Sequence, residues 1–198
     1  MSKQELFFGT NNANKLTEIQ HILGENFDIL SYKDFPPFDV EETEITMEGN
    51  AALKAKGFFE FTGLPCFSDD SGLEVAALGG EPGVYSARYA GEPSNSANNI
   101  AKLLQNIQGK SNRNAQFRTV IAYFDGKEML FFEGIIKGQL IDIQRGMAGF
   151  GYDPIFIPDG YQQTFAEMEA AEKHAISHRG IAVRKFAEYM ISCRFSQI

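Results

Sequence analysis

The chain has 198 residues, which suits one large domain or two tightly joined lobes, and its 43% hydrophobic content allows a substantial core. Aromatic residues make up 13%, with 18 Phe, which argues against a disordered chain. The 18 Lys and Arg against 26 Asp and Glu give a net charge of −8. This acidity excludes a general nucleic-acid coating protein, but it leaves room for one small polyphosphate bound with a metal.

The N-terminal part of the sequence predicts alternating strands and helices. Residues 6–8 form a short apolar run, and apolar residues then recur at helical spacing over 16–23, with Gly24 placed to end that helix. A strand over 27–30 and a helix over 47–61 follow.

The second half adds a hairpin. Two aromatic and β-branched runs flank Asp125-Gly126, which is a strong hairpin signal. Strands are predicted at 66–68, 117–124, 129–136, 140–143 and 154–157, and helices at 100–107 and 183–191. A hairpin beside βαβ-like units predicts an α/β fold with a mixed sheet.

The loop from Thr10 to Lys15 follows a strand and opens a helix. Backbone N–H groups at a helix start attract phosphate, and Lys15 adds a positive charge. The Gly-rich P-loop pattern is absent. The alternative is an ordinary helix cap, since Thr and Asn are common caps.

Carboxylates cluster at two places. Successive strand side chains alternate faces, so if the strand continues through Asp69 and Asp70, only one of them faces a site. That carboxylate suits holding Mg²⁺ or orienting a water, with Glu41 or Glu42 as the second carboxylate. The alternative is an Asx turn, which Asp-Ser-Gly also suits.

Two further segments carry candidate ligand-binding groups. The stretch from Gly149 to Pro154 has two aromatic residues that suit a flat base, or else pack in the core as part of a tight turn. His174 and His178 are spaced as a metal pair on one helix, but no third ligand stands at zinc-site spacing. Lys173, His178 and Arg179 supply hydrogen-bond donors for phosphate or carbonyl oxygens, or else a basic helix end.

Targeting and redox signals are few. Cys66 and Cys193 have no Cys-x-x-Cys partner, and neither a signal core nor a membrane-spanning run appears. We expect a cytoplasmic protein with two ordinary thiols, a disulfide or reactive cysteine being the alternative.

Taken together, the motifs resemble the inosine triphosphate pyrophosphatase family, whose members act on non-canonical purine nucleotides of the XTP/dITP type. Their order and spacing carry the resemblance over nearly the whole chain. The matching segments are 10–15, 41–43, 48–55, 69–73, 78–89, 149–156 and 177–180.

The resemblance implies a fold and an activity. The fold would be an elongated α/β domain over residues 1–198, with a mixed central sheet flanked by helices and two lobes around a substrate cleft, usually in a homodimer. The activity would be Mg²⁺-dependent hydrolysis of ITP, dITP or XTP to the monophosphate and pyrophosphate, without polymeric nucleic acid or a membrane as partner.

The resemblance also implies residue roles. Asp70 would be the general base and a metal ligand, with Glu41 or Glu42 as the second metal ligand, a choice left open. The substrate-binding residues would be Thr10, Asn11, Asn12, Ala13, Asn14, Lys15, Lys54, Ser71, Phe150, Gly151, Tyr152, Asp153, Lys173, His178 and Arg179.

Two other functions remain open from sequence. One is a related pyrophosphatase for modified pyrimidine or methylated nucleotides. The other is a nucleotide-binding sensor without catalysis, against which Lys15, Asp70 and the acidic pair Glu41-Glu42 argue.

Overall fold

The computed structural model describes residues 3–23 and 26–195, so Gly24, predicted to end the first helix, lies outside the described residues. Six strands form one sheet in the order β2-β1-β3-β4-β5-β6. The strands are β1 (Gln4–Phe8), β2 (Phe27–Leu30), β3 (Cys66–Val75), β4 (Asn114–Phe124), β5 (Met129–Leu140) and β6 (Phe156–Pro158). The helices are α1 (Ala13–Leu23), α2 (Met47–Thr62), α3 (Ser96–Asn106), α4 (Ala170–Ile176) and α5 (His178–Phe195).

The sheet is mixed, as the hairpin signal predicts. Strand β1 runs parallel to β2 and to β3, whereas β5 pairs antiparallel with β6. The turn between β4 and β5 is closed by Asp125, whose Oδ1 accepts hydrogen bonds from the N–H groups of Lys127 and Glu128, both at 2.8 Å. The predicted α/β class is therefore confirmed.

The chain divides into two compact units. The first comprises Met1–Asp70, Thr119–Gly134 and Gly180–Ile198, and the second comprises Ser71–Arg118 and Ile135–Arg179. The core of the first unit includes the apolar face of α1, namely Leu16, Ile19 and Leu23, which the helical spacing predicts. Strands β1 and β3 and helix α5 complete that core with Phe8, Phe67 and Phe186.

The second unit has its own core around β4, α3 and the segment that ends in β6. Phe117 belongs to this core and packs edge-on against Phe156, with ring centroids 4.8 Å apart. The predicted helical face of α3 supplies Ile100 and Leu103, both buried.

Three predictions about strands need correction. Strand β3 does not stop near Ser68 but continues to Val75, because apolar residues beyond Gly72 pack into the core of the second unit. No separate strand spans residues 140–143, since β5 itself runs to Leu140. The strand predicted from Pro154 begins at Phe156, after a 3₁₀ turn over Asp153–Ile155.

Gly138 is a tight point of strand pairing in the second unit. It lies opposite Pro158 in the β5–β6 ladder, and a Cβ at Gly138 would stand 2.2 Å from the carbonyl oxygen of Ile157. The neighbouring atom is backbone and cannot rotate away, so the strands themselves must separate.

We therefore expect Gly138→Ala to lower the free energy of unfolding by about 1–3 kcal/mol, as overpacking typically does. Thermal unfolding of Gly138→Ala and of Gln139→Ala, an exposed neighbour on the same strand, tests this. A melting temperature equally close to wild type in both variants would contradict it.

The two cysteines are not joined by a disulfide bond. Cys66 is buried and Cys193 is partly exposed, and both are free thiols, so the alternative of a disulfide is wrong. Burial raises the pKa of the Cys66 thiol far above its usual value.

Across residues 3–23 and 26–195, no helix combines the length and apolar character needed to cross a membrane.

Candidate functional site

The loop from Thr10 to Lys15 is a capped helix start. Asn12 Oδ1 accepts hydrogen bonds from the N–H groups of Asn14 and Lys15, at 3.0 and 3.3 Å, and Thr10 Oγ1 accepts from Asn12 N at 3.2 Å. The cap alternative therefore describes the local structure, and two of the backbone N–H groups considered for phosphate are already engaged. The loop can therefore contribute to binding chiefly through its side chains, and Lys15 is the one that carries a charge.

Two lysines meet at Asp69 in the first unit. Lys15 Nζ lies 3.1 Å from Asp69 Oδ2 and donates to the Asp69 carbonyl oxygen at 3.4 Å. Lys54 Nζ, projecting from α2, donates to the same carbonyl at 2.8 Å. The main chain of β3 thus brings together two cations from elements that are far apart in sequence.

The second lysine also holds a carboxylate. Lys54 Nζ forms a short ion pair with Glu42 Oε1, which draws the acidic segment 41–44 toward α2. Glu42 is partly buried there, whereas Glu41 is exposed. Of the two glutamates that sequence could not separate, the structure brings only Glu42 to this lysine.

Asp70 is a buried carboxylate whose pKa is raised. It lies on β3, buried, and its Oδ2 accepts a hydrogen bond from Asn50 Nδ2 at 3.3 Å. Burial raises the pKa of Asp70 above its usual value, and the charges of Lys54 and Lys15 oppose that rise in part. A carboxylate with a raised pKa binds a proton more readily than an ordinary aspartate, which suits it to proton transfer. Because Asp70 is part of a strand, the Asx-turn alternative is wrong.

We call Lys15, Glu42, Lys54, Asp69 and Asp70 the carboxylate–lysine cluster. Its available ligands are carboxylate oxygens, the hard donors that Mg²⁺ prefers. In the part of the chain that the structure describes, no group of three His, Cys, Asp or Glu side chains is arranged for a metal ion. Two carboxylates still fit Mg²⁺, since that ion commonly keeps waters and substrate phosphates in its shell.

A second group of site residues lies in the second unit. Asp153 and Lys173 form a buried ion pair, with Nζ 2.6 Å from Oδ2. The same Asp153 oxygen accepts the Phe150 N–H at 2.8 Å, which closes the turn. Gly149, with φ of 75°, leaves the space for this, because a Cβ there would stand 2.1 Å from Asp153 Oδ2.

Two cations flank the Phe150 ring. Lys173 Nζ lies 5.1 Å and Arg179 Cζ 5.6 Å from its centroid. Arg179 Nη2 also donates to Ser71 Oγ at 3.3 Å. We call Ser71, Phe150, Asp153, Lys173 and Arg179 the aromatic–cation cluster.

The two aromatic residues of the turn have different surroundings. Phe150 is partly exposed, whereas Tyr152 is buried in the core and donates its hydroxyl to the Ser86 carbonyl at 3.0 Å. The core alternative given by the sequence describes Tyr152. Phe150 is therefore the aromatic face available to a ligand.

The histidine pair is not a metal pair. Ser177, in extended conformation, separates α4 from α5, so His174 and His178 belong to different helices. The His178 ring stacks on Phe117 with centroids 4.7 Å apart. His178 and Arg179 open α5 rather than close a helix, so the alternative of a basic helix end balancing its dipole is wrong for them.

The predicted site residues omit Asn50, which contacts the carboxylate–lysine cluster, and Asp69, which belongs to it. Asn50 is fully buried, with its amide nitrogen on Asp70 and its Oδ1 accepting the Glu44 N–H at 2.9 Å. Asn50 and Lys54 are polar residues at i and i+4 on a helix face that also buries Ala51 and Ala55, which is a signal that was available. The alternation of side chains along the strand leaves open which of Asp69 and Asp70 faces a site, and the resemblance assigns a role to Asp70 only.

The fold and the carboxylate–lysine cluster define an α/β protein suited to phosphate-bearing ligands. Residues 6–189 match the model of the Ham1 family, and the chain belongs to that family.

Relatives and solved structures agree with this assignment. A protein named dITP/XTP pyrophosphatase from Flavobacterium psychrophilum is 50% identical over 186 residues, covering 93% of this chain and 98% of that one. One of the same name from Porphyromonas gingivalis is 47% identical, covering 96% and 100%. The Ham1 protein of Staphylococcus aureus is 38% identical with a TM-score of 0.87, and covers 96% of this chain and 99% of that one. The HAM1 protein of Coxiella burnetii has the same identity and coverage, with a TM-score of 0.89. The family resemblance seen in the sequence is thus confirmed.

Proposed function

We propose that this chain is a Mg²⁺-dependent nucleoside-triphosphate pyrophosphatase. It hydrolyses ITP, dITP and XTP to the nucleoside monophosphate and pyrophosphate, and so removes these nucleotides from the pool. One observation carries the proposal, namely a buried Asp70 with a raised pKa beside Lys15 and Lys54. The names of the relatives, dITP/XTP pyrophosphatase, support the choice of substrate.

The carboxylate–lysine cluster takes the triphosphate. Asp70 accepts the proton of the attacking water, and the bond between the α and β phosphates breaks. Lys15 and Lys54 stabilise the phosphate charge, while Thr10, Asn11, Asn12, Ala13 and Asn14 line the phosphate loop. Glu42 and Asp70 would hold Mg²⁺, which when bound neutralises phosphate charge and lowers the pKa of a water.

The aromatic–cation cluster and its neighbour His178 recognise the base. Phe150 offers a stacking face, with Gly151, Tyr152 and Asp153 shaping the turn that presents it. Lys173, His178 and Arg179 supply donors. Hypoxanthine and xanthine carry the acceptor O6 where adenine carries an amino group, so a donor-rich site favours them. Adenine would leave buried donors unpaired, a mismatch that can discriminate by about 10⁴-fold.

The proposal is tested by a nucleotide panel with product identification. We expect Mg²⁺-dependent pyrophosphate release from ITP, dITP and XTP well above that from ATP and GTP. Release of orthophosphate would overturn α–β cleavage. Preference for modified pyrimidine or methylated nucleotides would reassign the substrate, and tight ITP binding without turnover would indicate a sensor.

Glu42 and Glu41 form a matched pair for testing the metal site. Because only Glu42 contacts Lys54 beside Asp70, we expect Glu42→Gln to raise the Mg²⁺ concentration for half-maximal activity by about tenfold or more. Glu41→Gln should change it less than about twofold, since Glu41 is exposed. Mg²⁺ titrations of initial rate measure both, and a larger effect at Glu41 would exchange the two roles.

The quaternary and cellular parts of the proposal follow from family resemblance. We propose a single functional domain over residues 1–198, a homodimer, and a cytoplasmic location consistent with the free thiols. Sedimentation equilibrium tests the homodimer, since the proposal requires twice the mass of the chain.

A further inference from the structure

We propose that Asp69 is a positioning residue, which fixes Lys15 in the orientation that the reaction needs. This inference rests on the proposed function, since it assigns Lys15 to the substrate phosphates. It concerns the carboxylate next to the proposed general base, to which the family resemblance assigns no role.

The geometry around Asp69 is that of an anchor for cations. Its side chain is 0% exposed, and Oδ2 lies 3.1 Å from Lys15 Nζ, whose side chain is 15% exposed. The Asp69 carbonyl oxygen accepts from both Lys15 and Lys54, at 3.4 and 2.8 Å. One residue therefore holds Lys15 through two groups and Lys54 through one.

The extended conformation of β3 gives the adjacent residues Asp69 and Asp70 different roles. In an extended segment, consecutive side chains point to opposite faces, so Asp69 and Asp70 cannot both be directed at the same reacting atoms. The carbonyl between their side chains is where both lysines converge. Asp70 is then the group for proton transfer, and Asp69 acts through Lys15.

Lys15 needs such an anchor for a physical reason. Its ammonium is a point charge on a flexible four-carbon stem, and rotamer freedom must be lost before that charge stands at one place. A buried carboxylate fixes the ammonium before the substrate arrives. Preorganised charge contributes to the rate without reorganisation during the reaction, and misplacement of about 1 Å can cost 10²-fold.

A positioning role and a merely structural role predict different kinetics. Asp69→Asn keeps the size of the side chain and the main-chain carbonyl but removes one negative charge beside the phosphates. We expect kcat to fall by about 10–100-fold, while KM for ITP and Kd for inorganic tripolyphosphate stay unchanged or decrease. Loss of local structure would instead weaken binding of both anions together with the rate.

The first experiment measures these quantities in wild type, Asp69→Asn and Asp28→Asn. Asp28 is an exposed aspartate on β2, so its variant controls for the change of one charge in the same unit. Kinetics with ITP give kcat and KM, and calorimetry with tripolyphosphate gives Kd. A rise of more than about threefold in either KM or Kd, or an unchanged kcat, overturns the proposal.

A double-mutant cycle tests whether Asp69 acts through Lys15. If it does, Asp69→Asn should lower kcat less than about threefold in a Lys15→Met background, although it costs at least about tenfold in wild type. Equal losses in the two backgrounds overturn the proposal. Lys15→Met leaves Asp69 buried without this cation, and the variant can fail to fold. In that case the proposal is tested by the effects of Asp69→Asn on kcat and on the Kd for tripolyphosphate.

The two proposals can fail separately. If wild type releases no pyrophosphate from ITP, the proposed function is wrong. The role of Asp69 can then still be tested by tripolyphosphate binding. Lys15→Gln should weaken that binding by at least about tenfold, whereas Asp69→Asn should not weaken it. Equal weakening by the two variants would show that Asp69 only maintains the structure.

Discussion

Replacing Asp70 by Asn should reduce pyrophosphate release from ITP by about 10³-fold while leaving the protein folded. The carboxylate is the proposed proton acceptor, and a general base typically contributes 10²–10⁴-fold. An amide of the same size keeps the packing of β3 but cannot accept the proton. Initial rates with ITP at saturating Mg²⁺ measure the loss, and a rate within about tenfold of wild type would remove Asp70 from the mechanism.

The stability of the Asp70→Asn variant should be equal to wild type or higher at pH 7. Burial raises the pKa of Asp70, so the folded protein binds its proton more tightly than the unfolded chain does. Folding stability therefore declines as pH rises from the unfolded pKa to the folded one, and above that range the charged form costs stability. An uncharged Asn avoids this cost, and thermal unfolding at pH 7 measures it.

The pH dependence of the rate gives an independent check on the same residue. Because the base must be deprotonated, kcat/KM should fall as pH decreases through the raised pKa of Asp70, above the usual range for aspartate. The residual activity of Asp70→Asn should lack this acidic limb. The limb should persist in Asp28→Asn, whose exposed carboxylate serves as control.

Much of the fold follows from periodicity in the sequence. The buried face of α1 and the hairpin around Asp125 are set by local patterns, which persist in the folded protein. The incorrect predictions concern strand ends, which depend on contacts between residues far apart in sequence. Where β3 ends depends on the partners of Leu73 and Val75 in the second core, and where β5 ends depends on its pairing with β6. Neither partner is visible in a short window of sequence.

The candidate site divides in the same way. The residue types of the first loop indicate Lys15, and the family resemblance, which rests on motif order, indicates Asp70 and Lys54. The contact of Glu42 rather than Glu41 with Lys54 depends on the path of the acidic segment, which no periodicity records. The break at Ser177 is likewise a backbone conformation, and it separates two histidines that share helical spacing in the sequence.

Removing the cation of the buried Asp153–Lys173 pair should lower stability more than Gly138→Ala or Arg113→Met does. The two side chains are only 4% and 7% exposed, respectively, with Nζ 2.6 Å from Oδ2. Breaking a buried ion pair by deleting one partner typically costs 3–5 kcal/mol, because the other charge stays in a poorly solvated place. We therefore expect Lys173→Met to lower the free energy of unfolding by about 3–5 kcal/mol.

A more exposed ion pair in the same unit provides the control. Arg113 Nη2 lies 2.9 Å from Asp142 Oδ1, and the Asp142 side chain is 69% exposed. Because water screens such a pair, Arg113→Met should cost less than about 1 kcal/mol. Urea denaturation of both variants compares the two losses, and similar losses would show that burial of the Asp153–Lys173 pair has little energetic effect.

Replacing Asp153 by Asn in the Lys173→Met variant should show how much of the lost stability is due to the unpaired charge and how much to packing. In the double variant Lys173→Met with Asp153→Asn, no unpaired carboxylate is left at this position, so part of the lost stability should return. The Asn side chain can still accept the Phe150 N–H that closes the turn. Binding of ITP should nevertheless stay weak, since Lys173 is a proposed donor to the base and lies 5.1 Å from the Phe150 ring centroid. Recovery of stability without recovery of ITP affinity would assign the Asp153–Lys173 pair to recognition, whereas joint recovery would limit the pair to maintaining the turn.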